Sequence, residues 1–248
     1  MYNDLPQYSV CADNGEIGPN GFLKLQGYHE LICDLIEQNE IANGSSIAET
    51  IKQGFAWAIT SLSLDVKTPV SNCEWMLGQT WLSEIPDGII PYYRREVQFF
   101  RKDGEHMFSA SLYLVRLDIS THKILDRVPD ESEKAAVKQY GTTVDCAVPR
   151  IRDRGEFELL HTRQVYPSDI DALGHLNNCR YGAMVFDAAA AKGLVFTSAP
   201  FRYIINFVRQ TMPDKTINVF TRLDSDRFCV CGSIEGETRR NFIAYVMQ

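Results

Sequence analysis

The chain has 248 residues, of which 45% are hydrophobic and 23% are charged, and its formal net charge is −7. This size and composition are typical of a globular protein with one large domain or two small ones. The negative charge argues against nucleic acid as a default partner, and no apolar run approaches the roughly 18 residues that a membrane span needs. The first residues lack the basic-then-apolar pattern of a signal peptide, so we expect a cytoplasmic protein.

Seven cysteines are scattered along the chain. An odd number without regular spacing favours reduced thiols over a disulfide framework. Cys229 and Cys231 form the one close pair, and two residues apart on a strand they would face the same side of a sheet. A zinc site would need a second such pair with histidine, so we expect ordinary strand thiols and no metal.

The first half of the chain predicts a strand, a helix and then four more strands. The first strand is expected around Pro6–Ala12, and the helix lies in the segment Gly21–Asp34. Asp103 and Gly104 form a hairpin turn signal between two later runs of alternating apolar residues. The four strands are expected at Phe55–Val66, Glu74–Ile85, Tyr92–Arg101 and Met107–Ile119.

The second half predicts the same series of elements. Residues 127–155 are richer in proline, glycine and charge, and we interpret them as a connector with a short helix at Glu131–Tyr140. A strand at Phe157–Tyr166 and a helix at Tyr181–Ala191 follow. Four strands are then expected at Phe201–Arg209, Thr216–Leu223, Arg227–Glu235 and Asn241–Met247.

The two halves also repeat each other residue by residue. The matching pairs are Gly21 with Gly174, Tyr28 with Tyr181 and Asp34 with Asp187, and each differs by 153 (174 − 21, 181 − 28, 187 − 34). Each half therefore predicts a helix whose apolar stripe packs on a curved antiparallel sheet, and pairing the sheets edge to edge would protect their edge strands. We expect an α+β fold with an N-terminal unit at 1–126, a connector at 127–155 and a C-terminal unit at 156–248.

Polar chemistry is concentrated at the second junction between strand and helix. Ten residues hold two carboxylates, a turn glycine, a histidine and an asparagine pair: Asp169, Asp171, Gly174, His175, Asn177 and Asn178. A turn exposes side chains, and a helix start offers free backbone N–H groups to an anion. The same offset places Gly18 opposite Asp171 and Phe22 opposite His175, so the N-terminal unit lacks both reactive groups.

The segment from Asp169 through Asn178, continued by Tyr181, resembles the signature of hot-dog acyl thioesterases, including acyl-CoA thioesterases of the 4-hydroxybenzoyl-CoA type. The duplicated plan looks most like the acyl-ACP thioesterases of bacteria and plant plastids, and Leu117–Thr121 resembles a segment of that family as well. The resemblance implies a tandem hot-dog fold and hydrolysis of fatty acyl thioesters on acyl carrier protein in fatty acid biosynthesis, without a cofactor. Two alternatives stay open: an acyl-CoA thioesterase with an Asp-centred site, and a catalytically reduced acyl-binding protein.

The resemblance also implies roles for individual residues. Asp171 would act as base or nucleophile and His175 as its partner. Thioester hydrolysis needs donors for the tetrahedral oxyanion, and the turn and helix start would supply them from Gly174, Leu176, Asn177 and Asn178. A simple capping role for Asp171 is the alternative. Asp169 is expected to cap or hold the turn, and the two asparagines to satisfy backbone groups.

Two positions depart from the acyl-ACP thioesterase pattern. The family would have an asparagine where this chain has Leu173, and a glutamate at the position we align with Gln210, which is followed by Thr211. Leucine has no hydrogen-bonding group, and glutamine keeps the shape of glutamate but not its charge. Gln210 and Thr211 are therefore expected to support the site, which either uses simpler Asp-centred chemistry or is weakened.

The predictions for the remaining apolar and histidine residues are less specific. The resemblance implies that five apolar residues of the N-terminal unit line an acyl-chain tunnel: Phe55, Trp57, Trp75, Met76 and Trp81. For each of them, ordinary packing in the core is the alternative. Four further histidines have no convergent partners in the sequence and are expected on the surface or on strands: His29, His106, His122 and His161. The sequence leaves open whether two chains associate as a homodimer.

Overall fold

The computed structural model describes residues 2–71, 74–84, 92–125, 134–137 and 140–248. Within these ranges the α-helices of six or more residues are α1 (Leu25–Ala42), α2 (Ile47–Lys52) and α3 (Asn178–Ala191). Its strands in the N-terminal half are β1 (Tyr8–Cys11), β2 (Phe55–Val66), β3 (Trp75–Glu84), β4 (Tyr93–Arg101) and β5 (His106–Asp118). Those in the C-terminal half are β6 (Glu158–Gln164), β7 (Phe201–Phe207), β8 (Thr216–Leu223), β9 (Phe228–Ile234) and β10 (Arg240–Met247).

These strands form one antiparallel sheet in the order β1-β3-β4-β5-β2-β7-β10-β9-β8-β6. The first five strands occupy one half of the sheet and the last five the other, and both halves have the same internal order when read from their outer edges. β2 and β7 join the halves, with Ser61 opposite Asn206 and Val66 opposite Phe201. The predicted α+β class, the internal repeat and the edge-to-edge pairing are therefore confirmed.

The strand ends agree with the predicted ones to within two residues, whereas the helices differ more. α3 begins at Asn178 rather than at Tyr181, because the Asn177 side chain caps it by accepting the Cys179 N–H at 2.8 Å. α1 continues to Ala42, and α2 was not predicted. The short helix predicted at Glu131–Tyr140 lies largely outside the described residues.

The core lies between one face of the sheet and the two long helices. α1 and α3 pack against each other and against the sheet in one apolar cluster. They meet closely at Gly182, where an added Cβ would lie 3.3 Å from the His29 Nε2. His29 is thus buried at a helix–helix contact, and the prediction of a surface or strand position for it is wrong. None of the helices in the described part of the chain combines the length and the apolar character that a bilayer crossing requires.

The later part of the connector is attached to the opposite face of the sheet. In the N-terminal half the buried Glu96 carboxylate accepts the Thr143 N–H at 2.9 Å. In the C-terminal half the Asp153 carboxylate pairs with Arg222 at 2.7 Å and accepts a hydrogen bond from the Tyr245 hydroxyl at 2.7 Å. Charged groups on both halves therefore fix the segment that joins them.

Cys229 and Cys231 both lie on β9 and are buried on the sheet face near the connector. Burial raises the pKa of each thiol to about 11, so both are protonated at neutral pH. Their placement agrees with the prediction of ordinary strand thiols.

Candidate active site

The turn that carries the sequence motif is built in the same way in both halves. A short bridge pairs Ile170 with Leu176 in the C-terminal half, and the equivalent bridge in the N-terminal half pairs Ile17 with Leu23. Gly174 has a φ of 79° and its counterpart Gly21 a φ of 80°, in the left-handed region that favours glycine. The repeated glycine therefore serves the turn, as its recurrence in the unreactive half indicates.

Asp171 organises this turn and also lines a cavity. Its Oδ1 atom accepts the backbone N–H of Leu173 at 2.9 Å and of His175 at 3.3 Å. Its Oδ2 atom receives no hydrogen bond from the described residues, and Asp171 is half-buried at the cavity wall. The capping role and a chemical role are therefore compatible, because one oxygen holds the turn and the other is free to meet a ligand.

His175 lines the same cavity four residues further on. Burial lowers its pKa, the negative charge of Asp171 opposes that shift, and positive charge on His122 adds to it. The rings of His175 and His122 meet edge to face, with centroids 5.6 Å apart and an interplanar angle of 72°. The prediction that His122 has no convergent partner is therefore wrong, because the fold brings it across from the N-terminal half.

Asp169 has a different environment from Asp171. It is buried, and its Oδ2 atom accepts the Tyr166 N–H at 3.1 Å. Its Oδ1 atom pairs with Arg163 at 3.0 Å and with Arg180 at 3.5 Å. These contacts match the turn-holding role expected for Asp169.

The backbone of the turn limits where an oxyanion could be held. The N–H groups of Gly174, Leu176 and Asn177 already donate, to the carbonyl oxygens of Asp171, Thr211 and Asp169 at 3.0, 2.9 and 2.9 Å. The expectation that these three groups bind the oxyanion needs correction, since they build the turn instead. The Asn178 N–H, the first of α3, donates to no described residue, and Asn178 lines the cavity.

Thr211 ties the turn to the helix and the sheet. Its buried hydroxyl shares a hydrogen bond with the Tyr181 hydroxyl at 2.9 Å and accepts the Asn241 Nδ2 at 3.0 Å. Burial raises the pKa of Tyr181 to about 12, so this phenol stays protonated. Gln210 next to it is exposed at the cavity edge. Thr211 is thus a structural support, whereas the Gln210 side chain borders the cavity.

The cavity has a volume of about 390 Å³ and lies where the two halves meet. Its walls are the motif turn, the end of β7 continuing to Gln210, the start of β2 and the turn that follows β5. Its lining is mainly apolar with a few polar groups near Asp171, and its size falls in the range of small-molecule sites. Within the described residues, no three His, Cys, Asp or Glu side chains come close enough to hold a metal ion.

Of the five residues expected in an acyl-chain tunnel, Trp57 alone lines this cavity. Phe55 lies beside it, with ring centroids 6.1 Å apart. Trp75 is 54% exposed on β3, and Met76 and Trp81 are buried on the same strand. Side chains alternate along β3, so these three residues have different surroundings. The expectation that Trp75 lines an acyl-chain tunnel is wrong, because its side chain faces solvent.

Two similarities to known proteins agree with this geometry. Solved structures with the same fold include an acyl-ACP thioesterase from Bacteroides thetaiotaomicron, with a TM-score of 0.81 and 17% identity over 99% of this chain and 98% of that one. A 12:0-ACP thioesterase from Umbellularia californica gives a TM-score of 0.80 and 15% identity over 100% and 98% of the two chains. The chain therefore has the double hot-dog architecture of these enzymes.

The sequence itself supplies the more specific similarity. Residues 153–241 match the family model of the acyl-ACP thioesterase C-terminal domain. No curated protein matches the chain. The C-terminal half, which holds Asp171 and His175, is thus similar in sequence to acyl-ACP thioesterase C-terminal domains.

Proposed function

We propose that the protein hydrolyses fatty acyl thioesters carried on acyl carrier protein and releases the free fatty acid, as a step of fatty acid biosynthesis in the cytoplasm. The observation that carries the proposal is the placement of Asp171 and His175 together on the wall of a mainly apolar cavity. The match of residues 153–241 to an acyl-ACP thioesterase domain supports this choice of carrier. No cofactor takes part in the proposed reaction.

The proposed chemistry begins at the Asp171 carboxylate. Its Oδ2 atom takes a proton from a water molecule, and the oxygen of that water attacks the thioester carbonyl carbon. The tetrahedral intermediate then collapses, the C–S bond breaks, and the leaving thiolate receives the proton back. In the alternative, the carboxylate attacks the carbonyl carbon directly, the C–S bond breaks to release the thiolate and leave an acyl-enzyme anhydride, and water then hydrolyses the anhydride and supplies the proton for the thiolate.

His175 assists in its neutral form. Burial lowers its pKa, so the imidazole is uncharged at neutral pH and can both accept and donate a proton. It lies beside Asp171, and we propose that it passes the proton to the leaving thiolate. The Asn178 N–H is the proposed oxyanion donor, since it is the first free donor of α3 and its residue lines the cavity.

A second candidate, an acyl-CoA thioesterase with an Asp-centred site, is favoured by one observation. Leu173 lines the cavity at the position where the acyl-ACP thioesterase pattern has an asparagine. In this candidate, Asp171 acts without the help of an asparagine amide at that position. The same observation motivates the third candidate, an acyl-binding protein with reduced catalysis.

Hydrolysis assays on matched substrates separate the three candidates. Thiol release is measured with the same acyl group on acyl carrier protein and on CoA, and we expect a higher kcat/KM for the carrier-protein substrate. A clear preference for CoA would overturn the choice of carrier. Binding of both substrates without turnover, followed by gain of hydrolysis in the double variant Leu173→Asn with Gln210→Glu, would establish a decayed site.

A further inference from the structure

His122 belongs to the N-terminal half but lines the cavity that contains Asp171 and His175. It lies in the turn that follows β5 and has a φ of 54°. A non-glycine residue in this left-handed region is uncommon, although histidine is among the residues enriched there. Among the described non-glycine residues, only Asp214 shares this feature.

Hydrogen bonds hold the His122 turn in place. The Asp118 carboxylate accepts the Thr121 N–H at 2.7 Å and the Ser120 hydroxyl at 2.6 Å, and these bonds lower the pKa of Asp118 to about 2. The His122 N–H donates to the Asp118 carbonyl oxygen at 2.8 Å, and the Asp118 N–H donates to the Lys123 carbonyl oxygen at 2.9 Å. The turn is therefore closed from both sides, and the unusual backbone of His122 is part of a fixed geometry.

The side chain that this turn presents contacts His175. The two rings meet edge to face at 5.6 Å, which is a favoured arrangement for ring pairs. The other titratable or charged side chains that line the cavity are Asp118, Asp171, Tyr181 and Arg209. Asp118 bonds to its own turn, and Arg209 pairs with Glu237 beside the site. His122 is thus the titratable group in ring contact with His175.

We propose that His122 is a positioning residue that holds the His175 ring from the other half of the molecule. Positive charge on His122 also opposes protonation of His175, since like charges disfavour each other at this separation. Leu173, which lines the same site, has no hydrogen-bonding group. The polar side chain in ring contact with His175 therefore comes from His122 in the N-terminal half. This inference rests on the proposed hydrolysis, in which neutral His175 assists Asp171.

Two substitutions separate the packing of His122 from its charge. His122→Phe keeps a flat ring against His175 and removes the charge. His122→Asn removes the ring but suits the left-handed backbone, so the turn is retained. His161→Asn on β6 is the matched control, because His161 lies away from the cavity wall. The NMR titration of the His175 imidazole is recorded for each protein, together with kcat and KM as functions of pH.

In both His122 variants we expect His175 to titrate at higher pH than in the parent, and the acidic limb of kcat/KM to move the same way. We expect kcat to fall roughly 10-fold in His122→Asn with little change in KM, and less in His122→Phe, because small errors in position reduce rates steeply. His161→Asn should change neither. An unchanged His175 titration in both folded variants would overturn the inference. If the parent protein hydrolyses no thioester, the proposed function fails, while the titration still decides whether His122 acts on His175.

Discussion

Replacing His29 by leucine is expected to remove a large part of the acid sensitivity of the folded state. His29 lies on α1 with 1% of its surface exposed, against Gly182 of α3 and the ring of Tyr203, whose centroid is 5.5 Å away. Burial lowers the pKa of His29 to about 4, and neither ring nitrogen has a hydrogen-bond partner among the described residues. The folded protein therefore keeps this imidazole neutral over a pH range in which an exposed histidine would be charged.

The free-energy consequence follows from linkage between proton binding and folding. The ordinary pKa of histidine is 6.5, so between pH 6.5 and pH 4 the unfolded chain binds a proton that the folded chain does not. The contribution of neutral His29 is complete above pH 6.5 and is lost as the pH falls through this window. The difference between the two pKa values corresponds to about 3 kcal/mol in total, of which about 2 kcal/mol is lost by pH 5.

Urea unfolding of the parent and of His29→Leu, at about pH 7.5 and about pH 5, measures this effect. The informative quantity is the change in unfolding free energy between the two pH values, because the packing cost of leucine is the same at both. We expect the parent to lose about 2 kcal/mol more than the variant. His161→Gln, on the partly exposed strand β6, is the control and should behave like the parent. Equal losses in the parent and in His29→Leu would refute the reasoning.

Three further substitutions, one of them with a matched control, test the residues that support the site and the connector. Gly174→Ala places a Cβ in open space but at a φ of 79°, so it should cost about 1–2 kcal/mol in urea unfolding and lower kcat, whereas Gly21→Ala should cost the same without affecting kcat. Glu96→Gln removes the charge of a fully buried carboxylate paired with arginine at 2.7 Å; a loss of about 3–5 kcal/mol is expected in the same assay, and a loss below about 1 kcal/mol would contradict the role of this pair. Thr211→Val leaves a buried tyrosine hydroxyl and an asparagine amide without their partner, and calorimetry should show a lower Tm, equivalent to about 1–3 kcal/mol.

The strands of the sheet could be predicted from the sequence because the residue pattern that defines each strand is local. Alternation of apolar residues marks each strand, and the offset of 153 residues between the halves recurs in the backbone, down to the two turn glycines. α3 begins at Asn178, three residues before the predicted start, because the Asn177 side chain caps the helix there, at a junction that also holds the candidate site. A polar residue at such a junction can serve both roles, and the sequence does not separate them.

The candidate active site likewise depends partly on local sequence and partly on contacts between distant segments. Asp171 and His175 lie four residues apart in one turn, so the motif brings them together without long-range contacts. His122 reaches His175 only because β2 and β7 join the halves, a contact between residues far apart in the sequence. The Leu176 N–H is unavailable to an oxyanion because Thr211, on the segment after β7, accepts it. The ring contact of His122 and the hydrogen bond of Leu176 both join distant segments of the chain, which composition and spacing do not reveal.

The most direct test of the central claim is thiol release from acyl carrier protein by Asp171→Asn. The amide oxygen can still accept the two backbone N–H groups that Asp171 holds, so the turn and the unfolding free energy should be preserved. Asp187→Asn, at an exposed position on α3, is the matched control and should retain parent activity. We predict that Asp171→Asn loses about 10²–10⁴-fold in kcat, because the amide can neither take a proton from water nor attack the carbonyl. Parent-like turnover by folded Asp171→Asn would contradict the assignment of Asp171 as the reacting group.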